Sequence, residues 1–173
     1  MGNIISDVFL IDEQYVKTYS TISDNLDSKY LNPCIVKSQV MDLQSLIGTK
    51  LTVKVCTLVH DEQIAGTPYE TLLTEYIQPY LLQCTQAELL ISNFAKQRNA
   101  GNMQYIDTNQ SNITINDMWK LHAHYDNNAS FFANRLTDYI LANHSQFPEY
   151  CKVDSRADMH AHSDDSQHSG WVL

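Results

Sequence analysis

The segment that begins at Thr67 constrains the fold of this chain more than any other. Thr67 can cap a first helical turn, Pro68 suits the first helical position, and Glu70 stands where a capping box needs a carboxylate. Apolar side chains then recur at steps of three and four, which predicts a long helix that buries one face against a partner. They are Leu72, Leu73, Tyr76, Tyr80, Ala87, Leu90, Ile91 and Phe94. Pro79 predicts a kink within this helix, because the stripe resumes after it.

Two further long helices are predicted, one before and one after this segment. The earlier helix spans about residues 28–47, and Gly48 is placed to end it in the left-handed conformation. Its apolar stripe is Val36, Val40, Leu43 and Ile47. The later helix runs to about residue 143 after a second capping pair, Thr114 with Asp117. Its stripe is Met118, Leu121, Tyr125, Ala129, Phe132, Leu136, Tyr139 and Ile140.

Four other segments carry weaker signals. Residues 1–11 are apolar enough to pair as an extended segment, and residues 12–19 fit a short helix capped by Asp12. Residues 49–58 alternate as a strand would, yet they also continue a helical stripe, and we favour a helix there. Turn-forming asparagines and a glycine flank a short apolar strip within residues 96–113, which predicts a hairpin.

The predicted fold class is therefore mainly α, a bundle of three long antiparallel helices with a short β-hairpin-like loop and extended N- and C-terminal arms. Three parts are expected along the 173 residues: an arm with a short helix over 1–27, a helical domain over 28–150, and a polar tail rich in His and Asp over 151–173. Pro148 ends the helical part, and the tail has too few apolar side chains to form a core of its own.

Composition excludes several classes of function. Charged residues make up only 18% of the chain and the formal net charge is −9, so no general affinity for nucleic-acid phosphates is expected. The chain has no run of 18 apolar residues and no secretory signal, which predicts no membrane span. Residues 1–6 match an N-myristoylation template at Gly2, but the match is weak without a basic patch, and a flexible arm is the simpler interpretation.

The four cysteines are Cys34, Cys56, Cys84 and Cys151, and no two of them form a CxxC pair. We interpret them as reduced, small apolar residues of a protein assembled in a cytosol, in place of a disulfide framework or a zinc site.

No catalytic, cofactor-binding or metal-binding residues are predicted. His122 and His124 lie two positions apart on a helix and so point in different directions, which leaves only His122 with Asp126 able to share an ion, and no third ligand is evident. The histidines and aspartates of the tail could hold a metal loosely, but a flexible acidic tail is the simpler interpretation. The chain lacks the sequence motifs of serine hydrolases, zinc proteases and nucleotide-binding loops.

The C-terminal tail supplies the only predicted partner-binding residues. An aromatic and two aliphatic side chains at the end of a polar tether offer most of the apolar area available there for docking. The predicted partner-binding residues are Met159, Trp171, Val172 and Leu173.

Several segments together resemble one family. The order of LIDEQYV, LQSLIGTKL, TPYETLLTEYIQPYLLQCTQAEL and FFANRLTDYILANHSQFPEY is similar to that in head-to-tail connector (adaptor or neck ring) proteins of tailed bacteriophages, most of all those of crAss-like phages. The resemblance covers about residues 9–150, and the motifs that carry it are structural. The tail has no counterpart in that family.

The resemblance implies a structural virion protein of the viral neck, without enzymatic activity. Such a protein forms a homo-oligomeric ring, a dodecamer in this family, that touches the portal protein and neighbouring neck or tail rings. Genome DNA passes through it at packaging and ejection without specific binding, and assembly takes place in the host cytoplasm. The alternative that the residues leave open is a monomeric helical binding or regulatory protein.

Overall fold

The computed structural model describes residues 4–22, 26–94, 96–98, 101–103 and 114–150, and these are mainly α-helical, as predicted. Near the N-terminus lie two short helices, α1 (Ile4–Asp7) and α2 (Glu13–Tyr19). The first long helix is continuous from α3 (Ser28–Lys37) through a π-helical turn (Ser38–Leu43) into α4 (Gln44–Ile47). Gly48 ends it with φ 82°, and α5 (Thr49–His60) follows, which confirms the helical interpretation of that segment.

The central helix covers residues 68–94 without interruption. It consists of α6 (Pro68–Thr71), a second π-helical turn (Leu72–Ile77) and α7 (Gln78–Phe94). Beyond it come strands β1 (Lys96–Arg98) and β2 (Gly101–Met103), which pair antiparallel. The last long helix is α8 (Ile115–Ala142), and a short 3₁₀ turn (His144–Gln146) follows it.

The central helix packs against both other long helices, and this is why α7 is buried on nearly every side. Along α8 the contacts run antiparallel, since Gln83 pairs with Asn128 near the middle of both helices, while Tyr69 at the start of the central helix reaches Glu149 beyond the end of α8. The Tyr69 hydroxyl donates to the Glu149 carboxylate at 2.6 Å, and its ring meets Phe147 edge to face. The start of the central helix is thereby fixed to the chain that follows α8.

The prediction of an extended N-terminal segment is wrong. Residues 4–7 form a helical turn, and the backbone that follows is bound by side chains instead of by a neighbouring strand. The amide of Gln39 donates to the carbonyls of Ile5 and Val8 and accepts from the N–H of Leu10, while Gln78 donates to the Leu10 carbonyl. Because these bonds satisfy the polar backbone, the segment can pack on the same core as the long helices without forming a sheet.

The capping box predicted at Thr67 does not form. Thr67 is the N-cap residue, but its hydroxyl donates to the carbonyl of Ile64, and the Glu70 carboxylate accepts from the N–H of Gly66 at 2.7 Å. At the second site Thr114 caps α8 as predicted, because its hydroxyl oxygen accepts from the N–H of Asp117. Only the Thr114 site therefore forms the N-cap bond that its sequence indicates, and there the Asp117 carboxylate accepts from the Thr114 hydroxyl.

Pro79 lies just after the second π-helical turn, within a helix that continues past it, as expected. A proline cannot donate to the carbonyl four residues back, here that of Glu75. The guanidinium of Arg135 on α8 approaches this carbonyl at 3.4 Å and lies over the ring of Tyr76. The partner helix thus supplies a donor at the position where the proline removes one.

The predicted stripe of the first long helix is correct only in its second half. Leu43 and Ile47 are buried, but Val36 and Val40 are only partly buried. The buried residues of the first half are Leu31, Cys34, Ile35, Ser38 and Gln39. Residues spaced exactly four apart do not stay on one face of an α-helix, because a turn has 3.6 residues. The π-helical turn is wider, and it brings these residues back to one face. On α8 the predicted core residue Leu121 is exposed, and Leu90 of α7 is only partly buried.

Candidate functional site: an acidic cleft between three helices

A cleft of about 300 Å³ lies where the three long helices meet. The first long helix contributes Asp42 from its π-helical turn, and α7 forms the floor with Tyr80, Cys84, Ala87 and Glu88. The remaining wall is one face of α8. The α8 residues that line the cleft are His122, Asp126, Ala129, Ser130 and Ala133. Three carboxylates therefore converge on one concave surface.

Two of these carboxylates have basic partners. Glu88 accepts from the ammonium of Lys37 at 2.6 Å, and Asp126 lies 2.8 Å from Nδ1 of His122. Asp42 makes no ion pair with any residue that the structure describes. Burial raises the pKa of Asp42 to about 6, and the charge of Glu88 adds to this effect. The cleft therefore has an excess of negative charge centred on Asp42.

Cys84 and Tyr80 of α7 line the cleft together with Asp42. Cys84 lies close enough to both side chains for each to affect the pKa of the others. Burial, followed by the charge of Asp42, raises the pKa of Cys84 to about 12, and burial likewise raises the pKa of Tyr80. The thiol is therefore protonated at neutral pH and is unsuited to act as a nucleophile or as a thiolate ligand.

The candidate residues from the sequence are only partly brought together. His122 and Asp126 meet as the i, i+4 spacing predicts, whereas Nε2 of His124 lies 3.2 Å from the amide of Asn128, outside the cleft lining. Among the described residues, no three His, Cys, Asp or Glu side chains are placed to hold a metal ion. The predicted partner-binding residues of the tail lie outside the described residues. They are Met159, Trp171, Val172 and Leu173.

Sequence reasoning missed Asp42, Cys84 and Glu88 as members of a site. One signal was present, because Glu88 is the only charged residue in the 17 residues of α7. A single carboxylate in an otherwise uncharged, buried helix is expected to have a specific partner. The position of Asp42 could not be inferred in the same way, since it depends on the π-helical turn.

A second, more open concavity of about 510 Å³ lies on the other side of α8. The rings of Tyr76 and Tyr139 stack there with centroids 4.0 Å apart, and Arg135 covers Tyr76. Phe131 borders this surface and is 64% exposed. This second surface is mainly aromatic, whereas the cleft on the other side of α8 is acidic.

Fold and cleft together define a mainly helical domain with an acidic concave surface. The chain belongs to a family of unknown function, DUF6712, whose model matches residues 43–159. No curated protein and no solved structure matches the chain.

Within the described ranges, no helix is both long and apolar enough to cross a membrane. The described cysteines, Cys34, Cys56 and Cys84, are buried free thiols.

Proposed function

We propose that this chain is a structural subunit of a tailed-phage neck, which forms a ring between portal and tail and surrounds the path of the genome. The resemblance of residues 9–150 to connector proteins is one support. A ring of this kind needs each subunit to present apolar surface to its neighbours on two sides.

The observation that carries the proposal is the surface of α8. One face of this helix, with Met118, Leu136 and Ile140, is buried in the core. Large apolar side chains nevertheless protrude from its other faces, and several of them are more than half exposed. They are Ile115, Trp119, Leu121, Phe131 and Leu141. Such residues on a helix that has already buried its core face are typical of surfaces that other subunits cover.

In this proposal the three long helices form a slender antiparallel bundle, and the paired strands β1 and β2 belong to a hairpin-like loop at one end of it. The acidic balance of the chain, −9 overall, leaves the DNA path unattractive to phosphates, so that the duplex moves through without being held. Partners are then further copies of the chain, the portal protein and neighbouring rings. The tail over residues 151–173 serves as a tether to a neighbour.

The test is the assembly state of the purified full-length chain, measured by mass in solution and by negative-stain electron microscopy. We expect closed rings, with twelve copies if the family resemblance extends to subunit number. Phe131→Ser should reduce ring formation, whereas Thr74→Ser, an exposed and nearly neutral change on the central helix, should not. A chain that remains monomeric at all concentrations would refute the ring.

The acidic cleft favours the alternative function, a monomeric helical binding protein. A concave surface with an unpaired carboxylate is a feature of binding sites as much as of assembly surfaces. A monomeric full-length chain that binds a ligand through Asp42 would support this alternative over the neck ring.

A further inference from the structure

The acidic cleft is elongated along α8, and this shape limits what it can bind. The α8 residues that line it, from His122 to Ala133, span roughly 16 Å at the helical rise, or about three turns. Ile115 and Trp119 continue the same face of the helix toward its N-terminus, because they precede His122 at helical spacing. With them the surface is roughly 27 Å long, a length that suits a segment of chain better than a small molecule.

The middle of the cleft is lined by small side chains. Ala87 on α7 and Ala129 and Ala133 on α8 leave room for the close approach of another backbone. The distance between packed helices depends on the side chains at their contact, and small residues permit the closest packing. These three positions therefore have no bulky side chain that would hold a second helix away from α7 and α8.

One end of this surface is apolar. Trp119 is 53% exposed and contacts the ring of His122 edge to face, with centroids 5.7 Å apart, so it stands at the rim of the cleft. Tryptophan is one of the residues enriched among the anchors of protein interfaces. An occupant should therefore present apolar side chains at this end.

The charge of the cleft selects the polar side of the occupant. The carboxylates that line the cleft are Asp42, Glu88 and Asp126. The basic groups beside them are Lys37 on the first long helix and His122 on α8. Those two groups pair with Glu88 and Asp126, so Asp42 is the one carboxylate of the three that has no basic partner among the described residues. The same charges repel a nucleic-acid backbone.

We propose that this cleft docks an amphipathic helix of another protein that carries lysine or arginine side chains along its polar face. One basic side chain pairs with Asp42, and another shares the carboxylate of Asp126 with His122. The apolar face covers the alanines and packs against Trp119. This is a helix-in-groove mode of recognition. It requires that Ile115 and Trp119 are not covered by ring contacts, which leaves Leu121, Phe131 and Leu141 as the exposed apolar residues of α8 for neighbouring subunits.

Docking of the helix is coupled to the release of a proton from Asp42. A cation placed against Asp42 lowers the pKa of this carboxyl from about 6, so complex formation near pH 6 releases protons. Lys37, Glu88, His122, Asp126, Cys84 and Tyr80 also face this position and are part of its electrostatic environment. Binding should accordingly weaken as the pH falls from 7.5 toward 5.

The experiment uses the full-length chain with Trp171→Phe, so that fluorescence reports on Trp119. Two synthetic helical peptides of identical apolar pattern serve as probes, one with lysine and one with glutamate at the polar positions. We expect saturable binding of the lysine peptide only. Asp42→Asn and Asp126→Asn should each weaken it about tenfold. The control, Asp138→Asn on the opposite side of α8, should change the affinity less than about twofold, with circular dichroism unchanged in all variants.

Calorimetry at pH 6 in two buffers of different ionisation enthalpy should show proton release on binding, and Asp42→Asn should abolish it. The proposal is overturned if both peptides bind alike or if Asp42→Asn binds as well as the parent chain. It also fails if spermidine displaces the lysine peptide at an equal concentration, because the cleft would then accept any small cation. Self-association that depends on Asp42 and resists the peptide would assign the cleft to a second copy of the chain and would likewise overturn it.

Discussion

Replacing Gln39 by methionine should detach the N-terminal segment from the long helices. Gln39 is only 1% exposed, and its side chain is the common partner of three backbone groups. Its Oε1 accepts from the N–H of Leu10 at 3.1 Å, and its Nε2 donates to the carbonyls of Val8, at 2.7 Å, and Ile5. Methionine has nearly the same shape and can form none of these bonds.

The loss of stability in Gln39→Met depends on whether the N-terminal segment stays in place or leaves the long helices. If the segment stays in place, two buried backbone groups and one partly buried group lose their bond to Gln39, at about 1–3 kcal/mol each. If it leaves, those groups reach water but Ile5 and Leu10 lose their burial, at about 1.5–3 kcal/mol each. The protein adopts the cheaper response, so we expect the free energy of unfolding to fall by about 3–5 kcal/mol.

Urea unfolding monitored by circular dichroism measures this loss, and hydrogen exchange at the Leu10 amide shows which response occurs. Gln14→Met is the matched control, because Gln14 is exposed and its side chain donates to Thr18 one turn away. It should change the stability by no more than about 0.5 kcal/mol. A loss below about 1 kcal/mol for Gln39→Met, with the Leu10 amide still protected, would refute the reasoning.

Four further results are expected. Because burial raises the pKa of Asp42 to about 6, folding favours its protonated form, and stability should fall as the pH rises from about 4 to 6. The loss should be about 1 kcal/mol once the partial exposure of the group is allowed for, and urea titrations of Asp42→Asn should lack it. Leu136→Asp should prevent folding, as judged by circular dichroism, because Leu136 is fully buried, whereas Leu121→Asp at an exposed position should fold. Deleting residues 153–173 should leave the melting temperature unchanged but weaken assembly; equal assembly of the truncated chain would show that the tail is no tether. The purified chain should show no electrophoretic shift of duplex DNA at physiological salt, and tight, salt-sensitive retention would contradict this.

The helices could be predicted because their signals are local. Thr114 with Asp117, Gly48, and the apolar repeats on α8 each act within a turn or two of the chain, and the structure begins or ends its helices at these residues. The conformation of residues 4–10 could not be predicted in this way. It depends on Gln39 and Gln78, which lie far along the chain, and nothing in the N-terminal sequence indicates those bonds.

The acidic cleft could not be predicted from the sequence for a related reason. Its three carboxylates come from three helices, and a spacing rule connects only residues on one helix. The pair His122 and Asp126 was accordingly foreseen, while the approach of Asp42 required the altered register of the π-helical turn. Whether residues 151–173 bind a partner stays a prediction, since these residues lie outside the described structure.

The antiparallel contacts between the central helix and α8 also have a kinetic consequence. The contacts are nested: Gln83 and Asn128 are 45 positions apart, Glu75 and Arg135 are 60 apart, and Tyr69 and Glu149 are 80 apart. The entropic cost of closing a loop grows only with the logarithm of its length, so advancing from the innermost to the outermost pair adds about 0.5 kcal/mol. Folding can therefore proceed outward from the connection with little added loop-closure entropy per turn, so that each new turn has only the cost of ordering its own residues, until Tyr69 meets Glu149.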